Sequence, residues 1–249
     1  LALLVSTSLE FNSMLCGYKG KNKRRPGAIR HTFSHHAYSF PHTAVENNPL
    51  HPDKASGTWQ RLFHTRIHNG RVWAQTPRER RITASADEFV DITGEQDAGQ
   101  EVASQAQIQP GDTHKFILRQ GSSAQLDLPD GCVDFVVTDP PYFDSIQSSD
   151  LAAFFRVWLR HLLPDATDWA YDMNLSAVDP HRLDRESRYT EILSQIFGEC
   201  ARVLGKNGAG RLIFTFHHWN PQAWAALTIA LQRANFQLVN HYVVLSESA

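Results

Sequence analysis

The segment that most restricts the fold is residues 133–138, Val-Asp-Phe-Val-Val-Thr, set between Asp130-Gly131 and Asp139-Pro140-Pro141-Tyr142. A short run rich in β-branched and aromatic residues, with turn formers at both ends, reads as a buried strand. The two prolines stop it, because each fixes φ at about −65° and removes a backbone N–H. The strand therefore delivers a stiff loop, with free carbonyl oxygens, at its carboxyl end.

The neighbouring pattern sets this strand in a larger sheet. Residues 115–119 read as a strand and 151–163 as a helix that ends before Pro164. Residues 188–204 form a second helix, with Ile192, Ile196, Cys200, Val203 and Leu204 on one face. Gly205-Lys206-Asn207-Gly208 stops it; 211–216 is a strand, 221–234 a helix opening on Pro221, and 236–245 a last β segment. Strands alternating with helices over short connections predict an α/β fold with a doubly wound, mostly parallel sheet. Ligands of such sheets bind at the carboxyl ends of strands, where Asp139 to Tyr142 stand.

Charge divides the chain. Residues 1–82 carry thirteen Lys and Arg against four Asp and Glu, whereas the remainder carries eleven against twenty-two. We expect a basic, largely irregular accessory region over 1–84, an acidic linker over 85–109, and the catalytic part of the fold over 110–249. Within the first, 1–16 and 58–68 read as helices and 71–74 as a strand. The apolar start, Leu1 to Val5, lacks the basic flank and cleavage site of a leader, and no apolar run is long enough to span a membrane. Cys16, Cys132 and Cys200 are odd in number and far apart, so a cytoplasmic setting is expected.

An exocyclic amine on a nucleobase is a poor nucleophile, because its lone pair is delocalised into the ring. Two acceptors that take its hydrogens draw the nitrogen toward tetrahedral geometry. The Asp139 carboxylate and the Pro140 carbonyl are acceptors held at adjacent positions, and Tyr142 offers a face on which an extruded base can stack. The plainer reading of the same residues is a rigid strand-ending turn.

Asp139-Pro140-Pro141-Tyr142 resembles the catalytic motif of amino-methyltransferases acting on DNA. More widely, residues 133–159 resemble a family of prokaryotic adenine-specific DNA methylases carrying a conserved domain of unknown function, some of them placed among anti-phage defence genes. Asn12-Ser13-Met14-Leu15-Cys16, Glu46-Asn47-Asn48-Pro49-Leu50, and residues 210–218 with Trp224 also resemble that family. The resemblance implies a Rossmann-like fold, S-adenosyl-L-methionine as methyl donor, DNA and defence-system proteins as partners, and transfer to adenine N6. It implies that Asp139, Pro140, Pro141 and Tyr142 are catalytic, and that Gly121, Ser122 and Ser123 contact the cofactor. The glycine-rich cofactor loop should follow a strand and open a helix. The cluster Gly205, Gly208, Gly210 has the reverse order, so the chain reads as a fragment lacking that loop.

Several residues keep two readings. Asp144 either contacts the cofactor, orients the loop, or caps the next helix. Lys21, Lys23, Arg24 and Arg25 either grip DNA phosphates or form a solvated loop, and Arg61, Arg66, Arg71, Arg78, Arg80 and Arg81 extend the positive region. His217-His218 either lines the site or is an ordinary polar loop. His31, His35, His36, His42 and His51 lack the Cys or carboxylate company of a metal site, and no metal is expected. Trp158, Phe154 and Phe155 read as core. Cytosine, RNA, or a non-catalytic nucleic-acid-binding role remain the alternatives to DNA adenine.

Overall fold

A computed structural model describes residues 1–20, 22, 29–35, 38–52, 56–81, 88–95, 99–109, 111–144, 148–165, 172–179, 182–205 and 208–243. The fold is mixed α/β, and its described strands pair in four two-stranded sheets, two antiparallel and two parallel. The chain divides into two compact units, residues 1–120 with 154–168, and 121–153 with 169–249. No described helix is long and apolar enough to cross a membrane.

In the first unit, α1 (Ala2–Ser8) is followed by β1 (Gly17–Tyr18) and β2 (Ile29–Arg30), an antiparallel pair. The helix expected over 1–16 ends early because Thr32 captures the carbonyls that would continue it. Its hydroxyl donates to Leu9 O at 2.7 Å and its N–H to Glu10 O at 2.6 Å. Leu4, Leu9, Leu15 and Cys16 are buried around this junction.

Asn12 and Asn47 both hold the turn at Ser56-Gly57. The Asn12 amide donates to Gly57 O at 3.1 Å, and the Asn47 amide to Ser56 O at 2.9 Å. Gly57 has φ +79, and a Cβ there would lie 2.3 Å from Phe11 Cβ. Its turn lets the Trp59 N–H reach Pro49 O at 2.9 Å and start a helix. That helix runs as α2 (Trp59–Leu62), a π-helical stretch Phe63–His68, and α3 (Asn69–Gln75). Residues 71–74 are thus helical, not a strand. The β preference of Val72 and Trp73 is overridden, and no strand among the described residues pairs with them.

β3 (Arg78–Arg80) pairs antiparallel with β4 (Phe89–Asp91), and β5 (Gln100–Glu101) parallel with β6 (Lys115–Phe116). The acidic segment expected to be a linker therefore supplies two short strands. It also holds a 3-10 turn at Gln105–Gln107, closed by reciprocal capping between Ser104 and Gln107.

The second unit is built on β7 (Phe135–Thr138), parallel to β8 (Arg211–Phe214), with Thr138 opposite Phe214. Between them in sequence come α4 (Ser148–Leu159), whose residues from Phe154 on belong to the first unit, and α5 (Arg185–Val203), and after β8 comes α6 (Pro221–Arg233). α5 buries Tyr189, Leu193 and Phe197, and α6 meets it with Leu227 and with Ala223, Ala226 and Ala230, small residues that permit close approach. Leu212 and Phe214 pack on this core. Ile213, which alternates with them, and Phe135 and Val137 on the same face of β7 are 51%, 62% and 75% exposed, so the strand expected to be buried has one face open.

Asn220 caps α6 by accepting from the Gln222 N–H, with Pro221 at the first position. At its other end Asn235 adopts φ +59, and the Phe236 N–H returns to Leu231 O at 3.0 Å, a Schellman closure. Described residues 236–243 form no strand, against expectation. Phe236 instead packs on Phe197, its ring centroid 6.4 Å away.

Gly57→Ala should destabilise the chain by about 3 kcal/mol, through left-handed strain and the clash with Phe11. Urea denaturation checks this, with Gly121→Ala as control. A Cβ at Gly121 meets nothing within 4 Å, so that change should stay within about 0.5 kcal/mol.

Candidate functional site at the carboxyl ends of the parallel strands

Parallel pairing of β7 with β8 puts the residues that follow each strand side by side. Asp139 follows β7 and Thr215 follows β8. The Thr215 hydroxyl donates to Asp139 Oδ1. The Tyr142 hydroxyl donates to the same oxygen at 2.6 Å and lies 2.9 Å from Thr215 Oγ1. Both donors favour the charged form, Thr215 more than Tyr142, and hold the Asp139 carboxyl below the usual carboxylate range. Asp139 Oδ1 is saturated, and Oδ2 accepts no hydrogen bond from these two.

The two proline carbonyls differ in their partners, and Pro140 itself is buried while Pro141 is half-buried. Pro141 O accepts from the Tyr189 hydroxyl at 2.7 Å and the Phe143 N–H at 3.1 Å. Tyr189 is 2% exposed, and burial pushes its phenol up to about 12. No described residue donates a hydrogen bond to Pro140 O. Of the two adjacent carbonyls, the second anchors the loop and the first has no described hydrogen-bond partner.

Phe143 turns the chain with φ +53, a backbone state that bulky side chains rarely adopt. It is held there by its buried ring, edge-on to Tyr189 at 5.1 Å and to His218 at 5.7 Å. Next along, Asp144 Oδ1 lies 3.0 Å from His218 Nε2. The Asn220 N–H donates to His218 Nδ1 at 2.9 Å, so Nε2 carries the proton and is the donor to Asp144. The His218 side chain is fully buried while that of Asp144 is 46% exposed. Phe143, Asp144, Val178, Asp179, Arg185 and Tyr189 border a cleft of about 100 Å³. That is below the roughly 300 Å³ at which pockets for whole ligands begin.

Tyr142 is partly exposed and meets Phe216 edge-on at 5.5 Å; Phe216 in turn meets Trp224 at 5.0 Å. The Trp224 indole donates to His218 O at 2.9 Å. The loops after β7 and β8 are therefore one hydrogen-bonded and aromatic assembly.

Gly121, Ser122 and Ser123 lie elsewhere, in an exposed turn where Ser122 Oγ accepts from the Ala124 N–H at 3.2 Å. The chain beyond is tethered to the end of α5. Glu199 accepts from the Leu126 N–H at 2.8 Å, and Arg202 donates to Leu126 O and Leu128 O. Arg202 and Leu126 hold Glu199 down at about 2. That tether adjoins the start of β7, where the Val133 N–H reaches Val203 O. No hydrogen bond among the described residues joins Gly121–Ser123 to the Asp139 loop. For S-adenosylmethionine, Asp144 offers a held carboxylate suited to hydroxyl or ammonium groups, whereas the Gly121 turn offers no close-fitting cradle.

Lys21, Lys23, Arg24 and Arg25 lie outside the described residues. Among the described residues no cluster of three His, Cys, Asp or Glu is placed to hold a metal. Sequence reading missed Thr215 and Tyr189. Thr215 falls inside the strand expected over 211–216, and Tyr189 inside the helix expected over 188–204, outside the apolar face named there. Comparison of the chain with models of known families, with curated proteins and with solved structures finds no match.

The raised Tyr189 value has a definite sign. The neutral phenol's contribution is complete below the ordinary value of 10 and is lost as pH rises through about 12. Absorbance titration of tyrosinate should show one tyrosine ionising near 12, absent in Tyr189→Phe. That variant should lose about 1 kcal/mol of stability with the Pro141 anchor.

Proposed function

We propose that the chain carries the catalytic loop of an S-adenosylmethionine-dependent, Rossmann-like methyltransferase that modifies the N6 amino group of adenine in DNA. The observation that carries this reading is the pairing of acceptors at the end of β7. Asp139 has one oxygen tied by Thr215 and Tyr142, and the adjacent Pro140 carbonyl has no described donor.

An amine presented to these two acceptors would donate one hydrogen bond to the Asp139 carboxylate and one to Pro140 O. Its lone pair then localises on nitrogen. S-adenosylmethionine supplies an electrophilic methyl group on a cationic sulfur. Transfer of that methyl to the nitrogen would leave the electrons of the broken C–S bond on sulfur, and the methylated nitrogen would pass its proton to water. Thr215 and Tyr142 keep Asp139 ionised, so it serves as a fixed acceptor and not as the base that removes this proton. The partly exposed Tyr142 ring, braced by Phe216, is suited to stack an extruded base. A cytoplasmic setting belongs to the same reading, in keeping with three unpaired cysteines.

A second reading, a nucleic-acid-binding module without catalysis, is favoured by the open Gly121 turn. One assay separates them: transfer of labelled methyl from S-adenosylmethionine to unmethylated DNA, by the chain with any upstream residues of its natural polypeptide. The enzyme reading expects label on adenine N6, reduced about 100- to 1000-fold in Asp139→Ala. Thr215→Val should lower transfer less and shift the acid limb of the pH profile upward, since Asp139 loses its largest stabilising donor. Folded, DNA-binding protein that transfers nothing decides for the module.

A further inference from the structure

The helix over 59–75 is exposed almost along its whole length. Of its residues only Leu62 is buried, while Trp59, Phe63 and Trp73 are 42%, 49% and 53% exposed. It contains Arg61, Arg66, Arg71, His64 and His68 and no acidic residue. A π-helical stretch occupies its middle, a feature that recurs at functional sites.

The aromatic rings are fixed and not merely left outside. The Trp59 indole donates to Ser8 Oγ at 3.1 Å and the Trp73 indole to Arg78 O at 3.2 Å. Each ring has its polar edge satisfied and part of its surface open, the arrangement of a stacking platform. Trp59 and Phe63 are four residues apart and so neighbours on the helix. Nearby cations are partly neutralised: Arg81 pairs with Glu88 at 2.9 Å, and Arg78 stands opposite Asp91 in the β3–β4 register. Arg66 and Arg71 have no ion pair among the described residues, so the uncompensated charge lies on the helix. A partner helix would call for a continuous apolar stripe. Here guanidinium and imidazole groups interleave with aromatic rings, which suits a polyanion that also carries flat apolar faces.

We propose that this helix binds a single strand of DNA, stacking bases on Trp59, Phe63 and Trp73 and holding phosphates with Arg66 and Arg71. The inference rests on the methyltransferase reading only for the choice of DNA. Binding is read without cofactor or methyl transfer. A chain that binds but transfers nothing therefore sinks the enzyme reading alone, and transfer with an inert helix sinks this one alone.

The test is fluorescence anisotropy of the whole chain with a labelled oligonucleotide of about 16 nucleotides, single-stranded and as duplex, over a salt series. Arg66→Ala with Arg71→Ala should lower the single-strand salt slope by about 1.4. Trp73→Ala should weaken single-strand binding about 5- to 150-fold with the slope unchanged, and Trp73→Phe should retain most of it. Circular dichroism verifies that helix content is kept. Wild-type affinity and slope in the double arginine variant overturn the proposal. So does a Trp73→Ala deficit no larger on the single strand than on the duplex.

Discussion

The candidate site depends on the parallel register of β7 and β8. Placing Phe135 opposite Arg211 and Thr138 opposite Phe214 ends both strands at one level, so Asp139 and Thr215 leave the sheet as neighbours. A slip of one residue would turn Thr215 to the other side of the pleat and release Asp139 from its first donor. The register itself is held by packing, because Leu212 and Phe214 must face the α5–α6 core. Burial of two helix faces thus sets the ionisation of an exposed carboxylate.

The loop between strand and site is kept rigid by a different means. Pro140 and Pro141 remove two N–H groups, Tyr189 takes the second proline carbonyl, and Phe143 accepts a left-handed backbone to bury its ring. Strain of this kind costs about 1–3 kcal/mol and persists only where surrounding contacts determine it. Tyr189 and His218 supply those contacts, both from beneath the surface. Asp144 is then presented by a buried histidine whose tautomer is set by a backbone N–H.

What the sequence makes legible is local. Residues 133–138, the stop at Pro140 and the cap at Asn220-Pro221 are readable because propensity, turn chemistry and hydrophobic pattern agree there. Thr215 and Tyr189 are not readable, since their partners are 76 and 48 residues away in sequence and their roles exist only once β7 and β8 pair. Residues 71–74 and 236–243 fail for the opposite reason. Val72-Trp73 and the alternation after Phe236 satisfy a strand template, but a strand needs a neighbour to accept its hydrogen bonds. Helix continuation in one place and core packing by Phe236 in the other satisfy those residues instead.

The same logic explains why the net charge of −2 says so little about surface chemistry. Charge averaged over the chain cancels, but the cations of residues 1–82 are not spread evenly in space. β3 and β4 place Arg78 opposite Asp91, and the Arg81 just after β3 is paired with Glu88. The helix over 59–75 has no acidic residue with which to form such a pair. It is fixed through Pro49 O, the Asn12–Gly57 contact and Ser8, so its cations and indoles are carried on a rigid support. A preorganised surface loses less side-chain entropy on binding than a mobile one. Local pairing therefore decides which of many arginines stay available to a ligand, and sequence composition alone cannot make that selection.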